Sequence, residues 1–214
     1  MLPKPDLVTI ESELKKRTQY KYIWGRTQND TFDRLTHFIY DIKQFDKLIC
    51  YIQNQFHNNP KQKEIGNYAV NRWYNFHSAM AIEEIFCSFS QVRKFEVEKD
   101  KYCDFYIHDI PFDHKTSVFP KNIPWSKKWC KQNPALLARW LYDNQSSEQR
   151  HHLSNRIFLM LYSKSSAHWK LKAELTYLSR IIHQYMDSFN PGQLIKINYP
   201  NKTTILTDLI WAEA

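Results

Sequence analysis

The chain has 214 residues, with 43% hydrophobic and 15% aromatic positions, so it can bury a core without metal or disulfide staples and is no disordered tail. Its 30 Lys and Arg outnumber 22 Asp and Glu, a net charge of +8, which suggests a polyanionic partner such as nucleic acid, the plain alternative being a basic protein without one. Only 3 glycines are present, at Gly25, Gly66 and Gly192, and they cannot build G-x-G-x-x-G or G-x-x-x-x-G-K-[ST] nucleotide loops.

The opening segment carries Pro3 and Pro5 and no apolar run. The expectation is a mobile start and a short helix, without a signal peptide. From Asp30 to Phe56, apolar residues recur at three and four, including Phe32, Leu35, Ile39, Ile42, Phe45, Leu48, Ile52 and Phe56. That period predicts an amphipathic helix, broken near Phe45. His57–Pro60 ends it, and 61–66 reads as a polar connector. A second helix is expected over about 67–91. Short alternating runs then follow at 94–98, 104–108 and 112–119, an antiparallel meander. Pro120–Pro134 reads as a loop. Pro134 opens a helix to about Asn144, since proline suits a first turn. Arg156–Tyr162 (RIFLMLY) has the pattern of a central strand buried on both faces. A helix over about 168–189 and strands at 194–198 and 203–210 close the chain.

This order implies an α/β domain with a mixed central sheet flanked by helices. Residues 1–66 read as an N-terminal helical elaboration and 67–214 as the core, compact enough to be one domain overall. The four cysteines Cys50, Cys87, Cys103 and Cys130 lack metal-ligand spacing, so they are expected to be free thiols in a reducing cytoplasm. No apolar run reaches 18 residues, so no membrane span is expected.

The chemistry concentrates in the meander. A hairpin turn centred between Asp109 and Ile110 would place Asp104 opposite Lys115 and Tyr106 opposite Asp113. Asp113 and Lys115 share a strand face, as cross-strand partners do. Asp104, Asp113 and Lys115 would then converge on one patch. Two carboxylates can hold Mg²⁺, which accepts oxygen ligands and keeps several waters. Such a metal lowers the pKa of bound water and polarises a phosphoryl oxygen, and Lys115 can orient or deprotonate that water. The preceding helix carries Glu83 and Glu84. Glu83 flanks the Ile82/Phe86 side and is the favoured third carboxylate, with Glu84 the alternative.

A helical Glu followed by Asp104-x8-Asp113-x-Lys115 on a hairpin resembles the PD-(D/E)XK nuclease superfamily, the restriction-endonuclease-like fold. Cys103 stands where that family often has proline, and Asp113 where glutamate is commoner. The resemblance covers roughly residues 71–189. It implies that Glu83, Asp104 and Asp113 bind Mg²⁺, with Mn²⁺ as a substitute, and that Lys115 assists phosphodiester hydrolysis. It further implies a restriction-type endodeoxyribonuclease acting on DNA. Homodimers are frequent in such a family, so that two sites cut two strands. The competing readings are a non-catalytic nucleic-acid-binding protein on the same fold and a protein-interaction module. On the plainest reading, Asp104, Asp113 and Lys115 are the polar face of an amphipathic hairpin.

Further basic residues would contact DNA phosphates. Lys121, Lys127, Lys128 and Lys131 interleave with Trp125 and Trp129, and Arg139 and Arg150 follow. The alternative is a solvated basic face with both tryptophans packed on the core. His77 and His114 are expected to pack or to support the site rather than ligate. The YKYIW run at 20–24 is read as core packing before a DNA-facing clamp.

Overall fold

The structure, a computed structural model, describes residues 6–23, 30–95, 103–144, 153–200 and 203–214. Arg150, Trp24, the His151–His152 pair and positions 96–98 of the first expected strand lie outside the described residues. The chain divides into two compact units. One comprises Met1–Ile82 with Lys172–Leu178, and the other Glu83–Leu171 with Ser179–Ala214.

The first unit is helical. Asp6 caps α1 (Leu7–Arg17) by accepting the Val8 N–H at 3.1 Å, and three basic residues fill the last turn, favourable to the helix dipole. The helix expected over 30–56 does break at Phe45, where α3 (Phe45–Phe56) begins, but the part before it is α2 (Asp30–Leu35) and a 3-10 turn (His37–Tyr40). Neither proline nor glycine marks these breaks. The Thr36 hydroxyl donates back to Phe32 O at 2.6 Å, and the Glu13 carboxylate accepts the first N–H of α3, from Phe45, at 2.6 Å. In α3 the residues Phe45, Leu48, Ile52 and Phe56 are buried, one stripe at helical period. Helix α4 (Gln62–Phe86) begins earlier than expected, so the supposed connector is already helical. Gly66 lies within it, where a Cβ would stand 3.4 Å from Ile52. Arg17 is buried and donates to the Asn71 side chain at 2.7 Å. The core packing expected for the 20–24 run is not found, since Tyr20, Tyr22 and Ile23 are exposed, Tyr20 only tilting against Phe45 and Tyr22 lying under Arg17, and 20–23 form no strand.

The second unit is built on a six-stranded mixed sheet in the order β1-β2-β3-β4-β6-β5. Its strands are β1 (Val92–Lys94), β2 (Phe105–Ile107), β3 (Ile110–Val118), β4 (Arg156–Tyr162), β5 (Ile195–Asn198) and β6 (Thr204–Glu213). The meander β1–β2–β3 is antiparallel, β3, β4 and β6 run parallel, and β5 returns antiparallel. This is the α/β architecture with a mixed sheet and flanking helices expected above. The 120–134 stretch contains one more helix, α5 (Lys127–Gln132), started where Ser126 accepts the Trp129 N–H. Then come α6 (Pro134–Asn144), a 3-10 turn (His168–Ala173) and α7 (Leu175–Asp187). Among the described residues no helix is long and apolar enough to cross a membrane.

One difference matters for the site. The hairpin turns at His108 and Asp109, which have φ of 46° and 63°. Two successive left-handed residues suit a two-residue hairpin turn. The register is therefore Phe105↔Phe112 and Tyr106↔Pro111. The expected pairings, Asp104 opposite Lys115 and Tyr106 opposite Asp113, do not form.

The sheet is covered on both faces. On one, Phe158 and Met160 of β4 join Ile197 and Ile205 against Leu137, Ala138, Leu141 and Tyr142 of α6 and Cys130 of α5. Trp125 and Trp129 stack at 4.6 Å and pack on the same cluster, so both serve the core. On the other face Phe86 stacks on Phe105 at 4.9 Å, and Phe112 meets Phe189 edge-on. Phe158 is fully buried, and its ring meets Tyr142 edge-on at 5.4 Å. Phe158→Ala is expected to cost about 3–5 kcal/mol through lost burial and a residual cavity. Urea unfolding measures this, and a loss under about 1 kcal/mol would mean that the face is not close-packed.

Candidate active site

The charged groups gather where β2 begins and β3 enters the parallel part of the sheet. Asp104 directly precedes β2. Its N–H donates to Phe112 O at 2.8 Å, although Phe105 is the register partner of Phe112. Two residues thus address one, as in a β-bulge, a device that re-aims a side chain. Oδ2 of Asp104 accepts the His114 backbone N–H at 2.7 Å and lies 3.0 Å from its Nδ1. The carboxylate therefore occupies the edge of β3, where a further β2 carbonyl would otherwise accept. Burial opposes its ionisation, yet the His114 ring and N–H hold it below the usual carboxylate range.

Along β3 the faces alternate. His114 points with Phe112 toward the Phe86/Phe105 side, where its ring stacks on Phe105 at 6.2 Å. Asp113 and Lys115 point to the α5/α6 side. Asp113 is the register partner of Arg156, and the Arg156 Nε donates to its Oδ2. Burial pushes the Asp113 carboxyl up, the Asp104 charge adds to this, and Arg156 opposes it. Lys115 lies beside Phe158 in the register. Burial, and then the Arg156 charge, draw its ammonium down to about 8 from 10.5.

Glu83 and Glu84 end α4. Glu83 is 14% exposed and Glu84 34%, and both go to Lys94, at 3.1 and 2.6 Å. Glu83 is the more enclosed, as the helical wheel anticipates. Burial pushes the neighbouring Cys87 thiol up to about 12, helped by the charges of Glu83 and Asp104. The α4 end that carries Glu83 packs through Phe86 on the Phe105 and His114 side, while Lys115 lies on the other face. The single patch expected from spacing is thus divided by the sheet, with Asp104 on the edge between its halves.

The donor set can be tested against a divalent cation. Among the described residues no group of three His, Cys, Asp or Glu is disposed to hold a metal. Mg²⁺ needs only one or two carboxylates, with water and phosphate oxygens completing its shell. Asp104 and Asp113 are hard oxygen donors, and the charge of Asp104 disfavours ionisation of Asp113, a conflict that Arg156 offsets in this structure and that a divalent cation would likewise relieve. The pair fits such an ion, and Glu83, engaged by Lys94, is not needed for it.

The expected DNA contacts fare unevenly. Lys121 and Lys128 are exposed. Lys127 and Lys131 are both bound to Glu213 and lie over the Tyr162 and Trp211 rings. Arg139 bonds Asp143 at 3.1 Å and covers the Tyr199 ring at 4.1 Å. Sequence reasoning missed Arg156. Its signal is a lone charge at the head of an otherwise apolar strand, a position that needs a carboxylate on a neighbouring strand.

In comparisons with known proteins, no family model matches the chain, no curated protein matches it and no solved structure matches it.

Proposed function

We propose that the chain is a metal-dependent deoxyribonuclease of the PD-(D/E)XK kind, with a restriction-type endonuclease as the version the resemblance implies. The observation that carries this reading is the Asp104 carboxylate held edge-on at the N–H of His114, between Asp113 and Lys115 along β3. The order of a three-stranded meander, helices and a parallel β4 supports it.

Asp104 and Asp113 would hold Mg²⁺ or Mn²⁺, which when bound supplies an acidified water and polarises a phosphoryl oxygen. His114 fixes the Asp104 carboxylate through its N–H and ring. Lys115, its ammonium drawn down to about 8, can orient the attacking water at Nζ and take its proton in the neutral fraction, which grows as the pH rises toward 8. Once protonated, it faces the negative charge that develops on phosphorus-bound oxygens. Lys121 and Lys128 offer exposed ammonium groups to the DNA backbone.

The Arg156–Asp113 pair favours a second reading, a nucleic-acid-binding protein whose guanidinium stands in for a metal. Incubation with supercoiled and linear DNA in Mg²⁺ or Mn²⁺, beside an EDTA control, separates the two. The nuclease reading expects nicking or linearisation that EDTA abolishes. Intact DNA and RNA, with binding that weakens steeply as salt rises, would replace it by the second reading.

A further inference from the structure

We propose that the Arg156 guanidinium and a divalent cation compete for the Asp113 carboxylate, so that Arg156 acts as a resident counter-ion that sets the metal affinity of the site. The inference rests on the metal-dependent reading of this site.

Asp113 and Arg156 are the first paired residues of the parallel β3–β4 ladder, so the backbone itself brings their side chains to one face. The Arg156 side chain is only 10% exposed and that of Asp113 20%. Burying a guanidinium this far is costly unless a carboxylate offsets it, and its Nε donates to Asp113 Oδ2, an oxygen then shared with any cation that Asp113 binds. Lys115 adds a second positive group to the same carboxylate. A divalent ion reaching Asp113 therefore competes with one hydrogen-bonded cation and meets the charge of another. Arg156 also has a second environment in place. Its guanidinium carbon lies 5.6 Å from the Tyr142 ring centre and 5.8 Å from that of Phe158. Aromatic faces stabilise a cation, so the guanidinium need not leave the core when Asp113 is taken. Asp104 does not share in this competition, because its Oδ2 is committed to His114.

The test is a calorimetric titration of Mn²⁺ into the full chain and into Arg156→Met, which keeps the length of the side chain and removes its charge. Removing the competitor is expected to tighten Mn²⁺ binding about tenfold or more. A residue that only supported the fold would leave the affinity unchanged or weaker on removal, and either result overturns the competition. Equal binding by both proteins overturns the competition alone, whereas binding by neither overturns the metal-dependent reading with it. Should Arg156→Met fail to fold, the unmodified chain decides by NMR. The Arg156 Nε–H resonance, identified by its loss in Arg156→Lys, is expected to move on saturation with Mg²⁺. A resonance that stays in place overturns the competition.

Discussion

Replacing Lys115 with methionine is expected to abolish cutting while making the protein more stable near neutral pH. Burial, and then the Arg156 charge, draw the Lys115 ammonium from 10.5 down to about 8. Below about pH 8 the native and unfolded chains both carry this proton, and the native state bears the cost of the buried charge. Between about 8 and 10.5 only the unfolded chain carries it, so stability rises with pH across that window. The cost relieved by methionine is about 1–3 kcal/mol. The loss of a positioned proton acceptor is worth about 10²–10⁴-fold in rate. Urea midpoints near pH 7 and pH 9.5, measured beside a DNA-cutting assay, check both halves. The variant should have the higher midpoint at the lower pH, and a smaller gain than the parent on going to the higher pH. A variant that cuts as well as the parent would remove Lys115 from the chemistry, and one less stable at both pH values would refute the burial argument.

The second large effect belongs to Asp113. Asp113→Asn leaves Arg156 and Lys115 together on an enclosed face without their carboxylate. Removing one partner of an enclosed ion pair costs about 3–5 kcal/mol, and the charge of Lys115 on the same face adds to the cost. Metal-dependent cutting should disappear with it. Adding Lys115→Met to Asp113→Asn removes one of the two positive charges on that face and should recover part of the lost stability. A double-mutant cycle in urea measures this coupling, expected at about 1–3 kcal/mol for residues in one network. Additive effects would mean that Asp113 and Lys115 do not sense each other.

Much of the sheet was legible because its signals are local. The RIFLMLY run can be buried on both faces only as a central strand, and β4 is that strand, in the middle of the sheet. Pro134 marked the start of α6, and the alternating runs at 104–108 and 112–119 marked β2 and β3, whereas β1 (Val92–Lys94) lies ahead of the run expected at 94–98. The hairpin register was not legible. His108 and Asp109 adopt left-handed conformations without glycine, and a shift of the turn by one residue moves the cross-strand pairing by two. That shift placed Asp104 at the β3 edge, accepting the His114 N–H, and not opposite Lys115. Helix α5 was hidden because lysines and tryptophans obscure its short apolar side, although Ser126 caps it. The breaks between α2 and α3 carry no proline or glycine and come from side-chain bonds to the backbone. Within the site, the residue types were readable and their partners were not. Arg156 lies 43 positions beyond Asp113, and only the parallel register brings them together. Likewise, the helical wheel could favour Glu83 over Glu84 but could not show that Lys94 holds both.

The central claim is that Asp104 and Asp113 together hold a divalent cation. It is tested most directly by titrating Mn²⁺ into the full chain and into Asp104→Asn. Asparagine keeps an oxygen to accept the His114 N–H, so the edge of β3 is preserved while a negative charge is removed. One saturable site is expected in the parent chain, weakened at least about tenfold in the variant. Equal affinity in the two proteins, or no binding to the parent, would contradict it.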